Sequence, residues 1–374
     1  LTWVVVTPRP DVEPGPPPAD LPVRLHVVPL LRSAGVGSRL RWLPSGAPWR
    51  LHSLDLDALR RSVRTALAAS PPFDLVVVAQ LESWAVVDPM LTELVAAGGA
   101  HALDVDDVES AKVRLRARAL AQGGGVGGRV RSLALHLDAR RWERVIERAI
   151  ATTLTFTASD LDRRRLGGRP LVLRNVVPEP EPGYVRSPDP TPVLLFVGSL
   201  TYEPNIDGLE HFVAEVLPAV RTAVPGAVLR IVGQGREPRV DALAAQPGVE
   251  LVGEVASVSP ELARATVAVV PLRFGGGTRI KILEALAHGV PVVSTTAGAE
   301  GLGITDGREA LLADSPDDFA RACARLLADR DAGDRLVAGG ADLVAAHRGA
   351  TVRAGLVDAL RAHHAEARAR STSR

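Results

Sequence analysis

Short runs of aliphatic residues alternate along this chain with longer stretches in which apolar side chains recur every three or four positions. The runs predict strands at Leu1–Thr7, Val23–Leu31, Phe73–Ala79, Ala100–Val105, Thr152–Ala158 and Leu171–Asn175. Six more fall near 193–197, 227–232, 249–252, 266–271, 290–294 and 310–313. The periodic stretches predict helices at Leu54–Ala69, Pro89–Gly98, Glu109–Ala121 and Arg129–Ala149, with the Gly-rich 123–128 between the last two. In the second half helices fall near 205–222, 236–245, 259–264, 278–288, 316–328, 331–346 and 351–368. Residues 8–22, rich in Pro, Gly and acidic side chains, read as a loop, 32–54 as irregular, and Arg368–Arg374 as a frayed tail. Apolar strands separated by helices imply parallel sheets, because a parallel pair needs a crossover to join it.

Residues 177–192, Val-Pro-Glu-Pro-Glu-Pro-Gly-Tyr-Val-Arg-Ser-Pro-Asp-Pro-Thr-Pro, are too rich in proline for a helix or central strand and read as a semi-rigid spacer. The expected organisation is an α/β chain of two doubly wound, Rossmann-like domains. The first covers 1–178, a linker 179–192, the second 193–350, and a last helix with its tail 351–374. Two such domains on a hinge would face a cleft, with the ligand beyond the carboxyl ends of the strands. The chain opens directly into a strand at Leu1, and its one methionine is Met90; a preceding segment is expected.

Composition narrows the function classes. The 374 residues are 46% hydrophobic and 23% charged, enough for two soluble cores. A formal net charge of +1 and few aromatic residues give no footing for nucleic acid. One cysteine, Cys323, provides no disulfide framework and sits in a helical apolar pattern as a buried thiol. No apolar run is long enough to cross a membrane, so the expected location is cytoplasmic. The Arg-rich helices at 112–118 and 129–148 could lean on anionic lipid at the inner face of the plasma membrane, or simply be solvated. His363 and His364 have no second ligand cluster, and no metal is expected.

The richest chemistry lies in Pro271–Gly303. An apolar run ends in Gly275-Gly276-Gly277, a helix starts at Thr278, and Gly289 and Pro291 close it. Glycines let a backbone approach closely, and the free N–H groups of a helix start favour an anion. Arg279 and Lys281 put cations where helices prefer carboxylates, so something negative should compensate them. Lys occurs only at 112 and 281. Lys281, Glu284 and His288 share one face; a surface Lys281–Glu284 pair beside a plain loop is the alternative. Further Gly-rich loops follow strands at Val197-Gly198-Ser199 and Ile231-Val232-Gly233-Gln234-Gly235, on the same sheet edge.

Taken together, Phe196-Val197-Gly198-Ser199-Leu200-Thr201-Tyr202-Glu203-Pro204-Asn205, Ile231-Val232-Gly233, Val252-Gly253-Glu254-Val255, Gly275–Glu284 and Gly289-Val290-Pro291-Val292-Val293 resemble family 4 glycosyltransferases of GT-B fold. The resemblance covers about 193–330 well and the first half weakly. It implies transfer of a sugar from a nucleotide diphosphate sugar to a glycan or lipid-linked acceptor, with retention and without a metal or other cofactor. By position in the motif, Glu284 would bind the donor ribose, and Arg279 and Lys281 the diphosphate. Gly198, Ser199, Gly233, Gly276, Gly277 and Thr278 would offer donors to phosphates or sugar. Val252 and Gly253 would lodge the base, and Glu300 would lie near the sugar.

Departures matter too. The family's first glutamate falls at Gly276 and is missing, and the basic residue after the first strand of the second domain is replaced by Tyr202-Glu203-Pro204-Asn205. In the first half, Asp106 stands where relatives often carry histidine; Asp106 or Asp107 could orient a hydroxyl, or Asp107 could cap a helix. His101, at the start of its strand, reads as a decoy. The resemblance aligns Leu1–Thr7 with the family's second strand, which would leave the first strand, glycine loop and helix missing. A nucleotide-sugar epimerase and a non-catalytic nucleotide-sugar-binding protein are the alternatives.

Overall fold

The computed structural model describes residues 2–7, 24–29, 46–106, 108–111, 113, 114, 117 and 126–372. The loop expected over 8–22, most of the helix expected over Glu109–Ala121, Asp107 and the glycines at 123–125 lie outside the described residues. Two compact units divide the chain, one of Leu1–Leu173 with Leu356–Arg374 and the other of Arg174–Gly355.

In the first unit, β1 (Thr2–Thr7) and β2 (Arg24–Pro29) form a parallel pair. Helix α1 (Leu56–Leu67) follows, its N-terminus capped by Asp55, which accepts from the Ala58 N–H at 2.9 Å. Next come β3 (Phe73–Ala79), α2 (Leu81–Val87), β4 (Val95–Asp104), α3 (Val126–Thr152), β5 (Leu154–Thr157), α4 (Asp160–Arg165) and β6 (Leu171–Val172). These last four strands form one parallel sheet in the order β3-β4-β5-β6. Its core packs Val78 and Leu103 against Trp84, Trp142 and Ile146, so Trp142 is a packing anchor.

The helix expected over Pro89–Gly98 shrinks to two short turns, Asp88–Met90 and Leu91–Leu94, and β4 begins at Val95. Gly98 has φ +77°, which a helix cannot continue through. At Gly99 a β-carbon would lie 2.9 Å from the Asp74 carbonyl oxygen, so the two glycines build a bulge against β3 instead of closing a helix.

The second unit is built on strands that match the apolar runs closely. In chain order they are β7 (Val193–Val197), β8 (Val228–Val232), β9 (Val249–Gly253), β10 (Val267–Val270), β11 (Val292–Ser294) and β12 (Leu311–Leu312). All pair in parallel, in the order β12-β11-β10-β7-β8-β9. The order runs outward in both directions from the β7–β10 pair, so the switch point of the sheet lies between those two strands. Of the crossover helices, α5 (Glu203–His211) follows β7, α6 (Leu217–Ala223) precedes β8, and α7 (Pro238–Leu243) joins β8 to β9. On the other side, α8 (Ser259–Arg264) precedes β10 and α9 (Ile280–Ala287) joins β10 to β11. Beyond β12 lie α10 (Pro316–Ala328), α11 (Arg330–Gly339) and α12 (Ala341–Ala346). The helix expected as one piece over 205–222 contains a π-turn at Phe212–Val216, which absorbs the missing N–H of Pro218.

Cys323 is fully buried among apolar side chains, which pushes its thiol up, away from nucleophilic use. The last helix, α13 (Gly349–Thr372), extends past the tail expected from Arg368. His363 Nε2 lies 3.1 Å from the His101 carbonyl oxygen, and the Ser371 side chain packs on Gly98.

Candidate functional site

Strands β7, β8 and β10 send their chains out at the same edge of the second unit's sheet, and the loops that follow are tied to one another. The Gly198 N–H donates to the Val232 carbonyl at 3.0 Å, the Leu200 N–H to Gln234 at 2.8 Å, and the Gly233 N–H to Gly253, at the end of β9, at 2.8 Å. A side-chain-free residue is required at Gly233, and one at Gly198 leaves room for Lys281. A β-carbon on Gly233 would fall 1.7 Å from the Gly198 carbonyl oxygen, and one on Gly198 2.7 Å from Lys281 Nζ. Gly198, Gly233, Val252 and Gly253 therefore share one rim, beside the switch point.

The loop after β10 crosses the other side of that point. Gly275 and Gly277 adopt φ +136° and +87°, values that exclude most side chains. The chain stays extended longer than its glycines suggested: α9 opens at Ile280, with Arg279 as its N-cap, and not at Thr278. Arg279 is buried, donating to the carbonyls of Gly276 (2.9 Å) and Ala297 (3.3 Å). It clamps the glycine loop to the turn before Glu300. The Thr278 hydroxyl is buried with no hydrogen-bond partner. Gly298, in the same turn as Ala297, donates its N–H to Thr295 Oγ1 at 2.8 Å, and a β-carbon there would strike the Val270 carbonyl at 2.6 Å.

Lys281 occupies the middle of this ring of loops. Its Nζ donates to Asn205 Oδ1 at 3.0 Å and stands 4.4 Å above the centre of the Phe196 ring. Burial, and then the Arg279 charge, lower its pKa to about 7. No carboxylate contributes to that balance, so the alternative of a surface Lys281–Glu284 ion pair does not form. Glu284, one turn further along α9, is half-buried, and burial alone holds its carboxyl above the usual range. His288, the third residue of that face, serves the core: its ring lies 3.0 Å from Ser259 Oγ and edge-on to Tyr184. The assembly thus sets one weakly protonated amine among closely tied loops, with an unpaired carboxyl a turn away.

Asn205 and Phe196 act here without having stood out in the sequence. Asn205 is buried, and its Nδ2 donates to the Ser199 carbonyl at 2.8 Å. The signal was a polar residue at an apolar position: Asn205, Leu209 and Phe212 follow helical spacing, and only the first is polar.

Asp106 lies in the first unit, just past the carboxyl end of β4, with φ 56° and its N–H on Asp104 Oδ1 at 3.1 Å. Gln80, just past the neighbouring strand β3, also has a positive φ of 69°. Non-glycine residues held this way at adjacent strand ends store strain of the kind found at functional sites. His101 is structural, with Nε2 3.2 Å from the Thr152 carbonyl and its ring tilted against Trp84. Among the described residues, no three His, Cys, Asp or Glu side chains gather as metal ligands would, and no helix is long and apolar enough to cross a membrane.

Residues 191–329 match the family described as glycosyl transferases group 1. Over 137 residues the chain is 29% identical to an uncharacterised 44.6 kDa protein of the cps region of Klebsiella pneumoniae, covering 34% of this chain and 35% of that one. The chain thus spans about a third of the length of this curated relative. Its fold is similar to a UDP-forming α,α-trehalose-phosphate synthase from Burkholderia vietnamiensis, at TM-score 0.62 and 13% identity, over 96% of this chain and 94% of that chain. It is also similar to sucrose-phosphate synthase from Thermosynechococcus elongatus, at TM-score 0.62 and 17% identity, over 83% and 78%. With two parallel-sheet units, the architecture is GT-B.

Proposed function

We propose that this protein is a glycosyltransferase that moves a sugar from a nucleotide diphosphate sugar to a hydroxyl of a glycan or lipid-linked acceptor. The observation that carries the reading is the Lys281 amine beside Gly198 at the switch point, held by the Asn205 amide and lacking a carboxylate partner. Such a site suits an anion, and a diphosphate is one. The match of 191–329 to group 1 glycosyl transferases supports the same donor class.

In the proposed reaction the bond between the sugar's anomeric carbon and the diphosphate oxygen breaks as the acceptor oxygen bonds to that carbon and passes its proton to the leaving diphosphate. Negative charge grows on the leaving diphosphate. Lys281, the Arg279-clamped loop and the N–H groups of Gly277 and Thr278 stabilise that charge more than the ground state, and this difference is what lowers the barrier. The Glu284 carboxyl accepts two ribose hydroxyls, Val252 and Gly253 flank the base, and Ser199 and Glu300 approach the sugar. Two cations in place of a metal suit metal-independent transfer, and retention of configuration is the family-like outcome. Asp106 orients the sugar or acceptor hydroxyl from its strained strand end.

Synthesis of a cell-surface polysaccharide is the proposed process, supported by the relative in the cps region. On α3, Val130, Leu133 and Leu137 are exposed at helical spacing, among exposed Arg129, Arg131, Arg140 and Arg144. That apolar stripe among cations suits peripheral contact with the inner, cytoplasmic face of an anionic membrane carrying the acceptor.

Donor turnover tests the reading. Lys281→Ala and Glu284→Ala should each lower it by about 10-fold or more, and wild-type rates in both would remove it. Gly276, standing where the family places a carboxylate, favours a second reading, binding of a nucleotide sugar without turnover. That reading predicts calorimetric binding and no product with any acceptor. An epimerase would consume donor with no acceptor present.

A further inference from the structure

Asn205 holds two things at once. Its Oδ1 receives Lys281 Nζ at 3.0 Å, and its Nδ2 donates to the Ser199 carbonyl at 2.8 Å. The side chain is 4% exposed, so neither bond competes with bulk water. Its helix is brought close by Gly208, where a β-carbon would lie 2.7 Å from the Pro271 carbonyl oxygen. Only a bare backbone at 208 lets α5 settle against the end of β10, one turn after Asn205 itself. The Lys281 ammonium is then bounded by three surfaces: the Phe196 ring on one side, Gly198 on another, and the Asn205 amide on a third.

We propose that Asn205 is a positioning residue, which fixes the Lys281 amine beside the Gly198 loop and ties that loop, through Ser199, to the same amide. A neutral amide suits the role better than a carboxylate. It accepts from the ammonium without neutralising it, so the charge stays available to an incoming anion. It also ties together two elements on opposite sides of the switch point, the loop after β7 and the helix after β10, so that their spacing is set before ligand arrives. This purpose rests on the diphosphate reading above; the geometry does not.

The two lysines of the chain make the test direct. Protein labelled with 13C and 15N in lysine alone shows two side-chain signals, from Lys112 and Lys281. Each is titrated by NMR, alone and with UDP, in wild type, Asn205→Leu and Asn205→Asp. A carboxylate at 205 should raise the Lys281 midpoint by roughly 1–3 pH units. The leucine, with no acceptor, should lower it or scatter the signal, and should weaken UDP binding by about 10-fold or more. Lys112 serves as the internal reference in each sample. If Asn205→Leu fails to fold, the isosteric Asn205→Asp decides the matter on its own. A Lys281 midpoint in Asn205→Asp within about 0.3 units of wild type overturns the proposal, since a contact carboxylate must move it. UDP that binds nowhere, with Lys281 still responding to residue 205, sinks the diphosphate reading and leaves Asn205 as the amine's anchor.

Discussion

Gly233 faces Gly198 so closely that a β-carbon on the first would overlap the carbonyl oxygen of the second, at 1.7 Å. The obstacle is backbone held by a strand on each side, and no side-chain rotation can relieve it. Gly233→Ala is therefore expected to destabilise the second unit by about 1–3 kcal/mol and to weaken UDP binding with it. Chemical denaturation and calorimetry check both, and an unchanged midpoint would mean that the loops separate freely.

The lowered pKa of Lys281 sets a pH dependence whose sign is fixed. Between about 7 and the usual 10.5, the unfolded chain keeps a proton on Lys281 that the folded, ligand-free chain has released. Stability rises with pH wherever the unfolded state binds more protons. The cost of burying this amine is thus full below pH 7 and fades toward pH 10. Lys281→Met should flatten that slope, raise the melting temperature near neutral pH, and weaken UDP binding. Near pH 8, UDP should draw in up to roughly one proton as it restores the charge, which calorimetry in buffers of different ionisation enthalpy measures.

Thr278 offers a test with opposite signs for stability and binding. Its hydroxyl is buried and finds no hydrogen-bond partner within the protein, which costs about 1–3 kcal/mol in general. Thr278→Val keeps the shape and removes the cost, so the melting temperature should hold or rise. If the hydroxyl waits for a phosphate or sugar oxygen, UDP-sugar affinity should fall about 3- to 10-fold. Equal affinity would make the hydroxyl incidental.

At Asp106, glycine is the residue its φ of 56° suits best. Asp106→Gly should stabilise the first unit by about 1 kcal/mol, while donor turnover falls if the carboxylate orients substrate. Turnover at the wild-type rate would leave Asp106 as a turn residue only.

Much of the second unit was legible because its strands are buried on both faces, and such strands announce themselves as unbroken aliphatic runs. Val193–Val197 was placed to the residue, as was the helix Ser259–Arg264. Boundaries failed where glycine or proline acts through tertiary contact. Gly98 and Gly99 lie inside β4 and build a bulge against β3 where a helix end was expected, and Pro218 turns one helix into two with a π-turn between them. At the site, Lys281 and the glycines were readable from type and spacing. Spacing makes Arg279 a candidate phosphate ligand; in the structure its guanidinium fastens two loops, which no spacing reveals. Asn205 escaped notice because its importance lies in a partner 76 positions away.

One feature of the chain's path bears on how it is made. The final helix, α13, starts in the second unit and ends in the first, where His363 meets the backbone of His101 and Ser371 covers Gly98. The first unit is therefore assembled from two separate stretches of polypeptide, with the whole second unit between them. As the ribosome works from the amino end, the second unit is complete while the one begun earlier still awaits its closing segment. The order of synthesis and the order of maturation run in opposite directions.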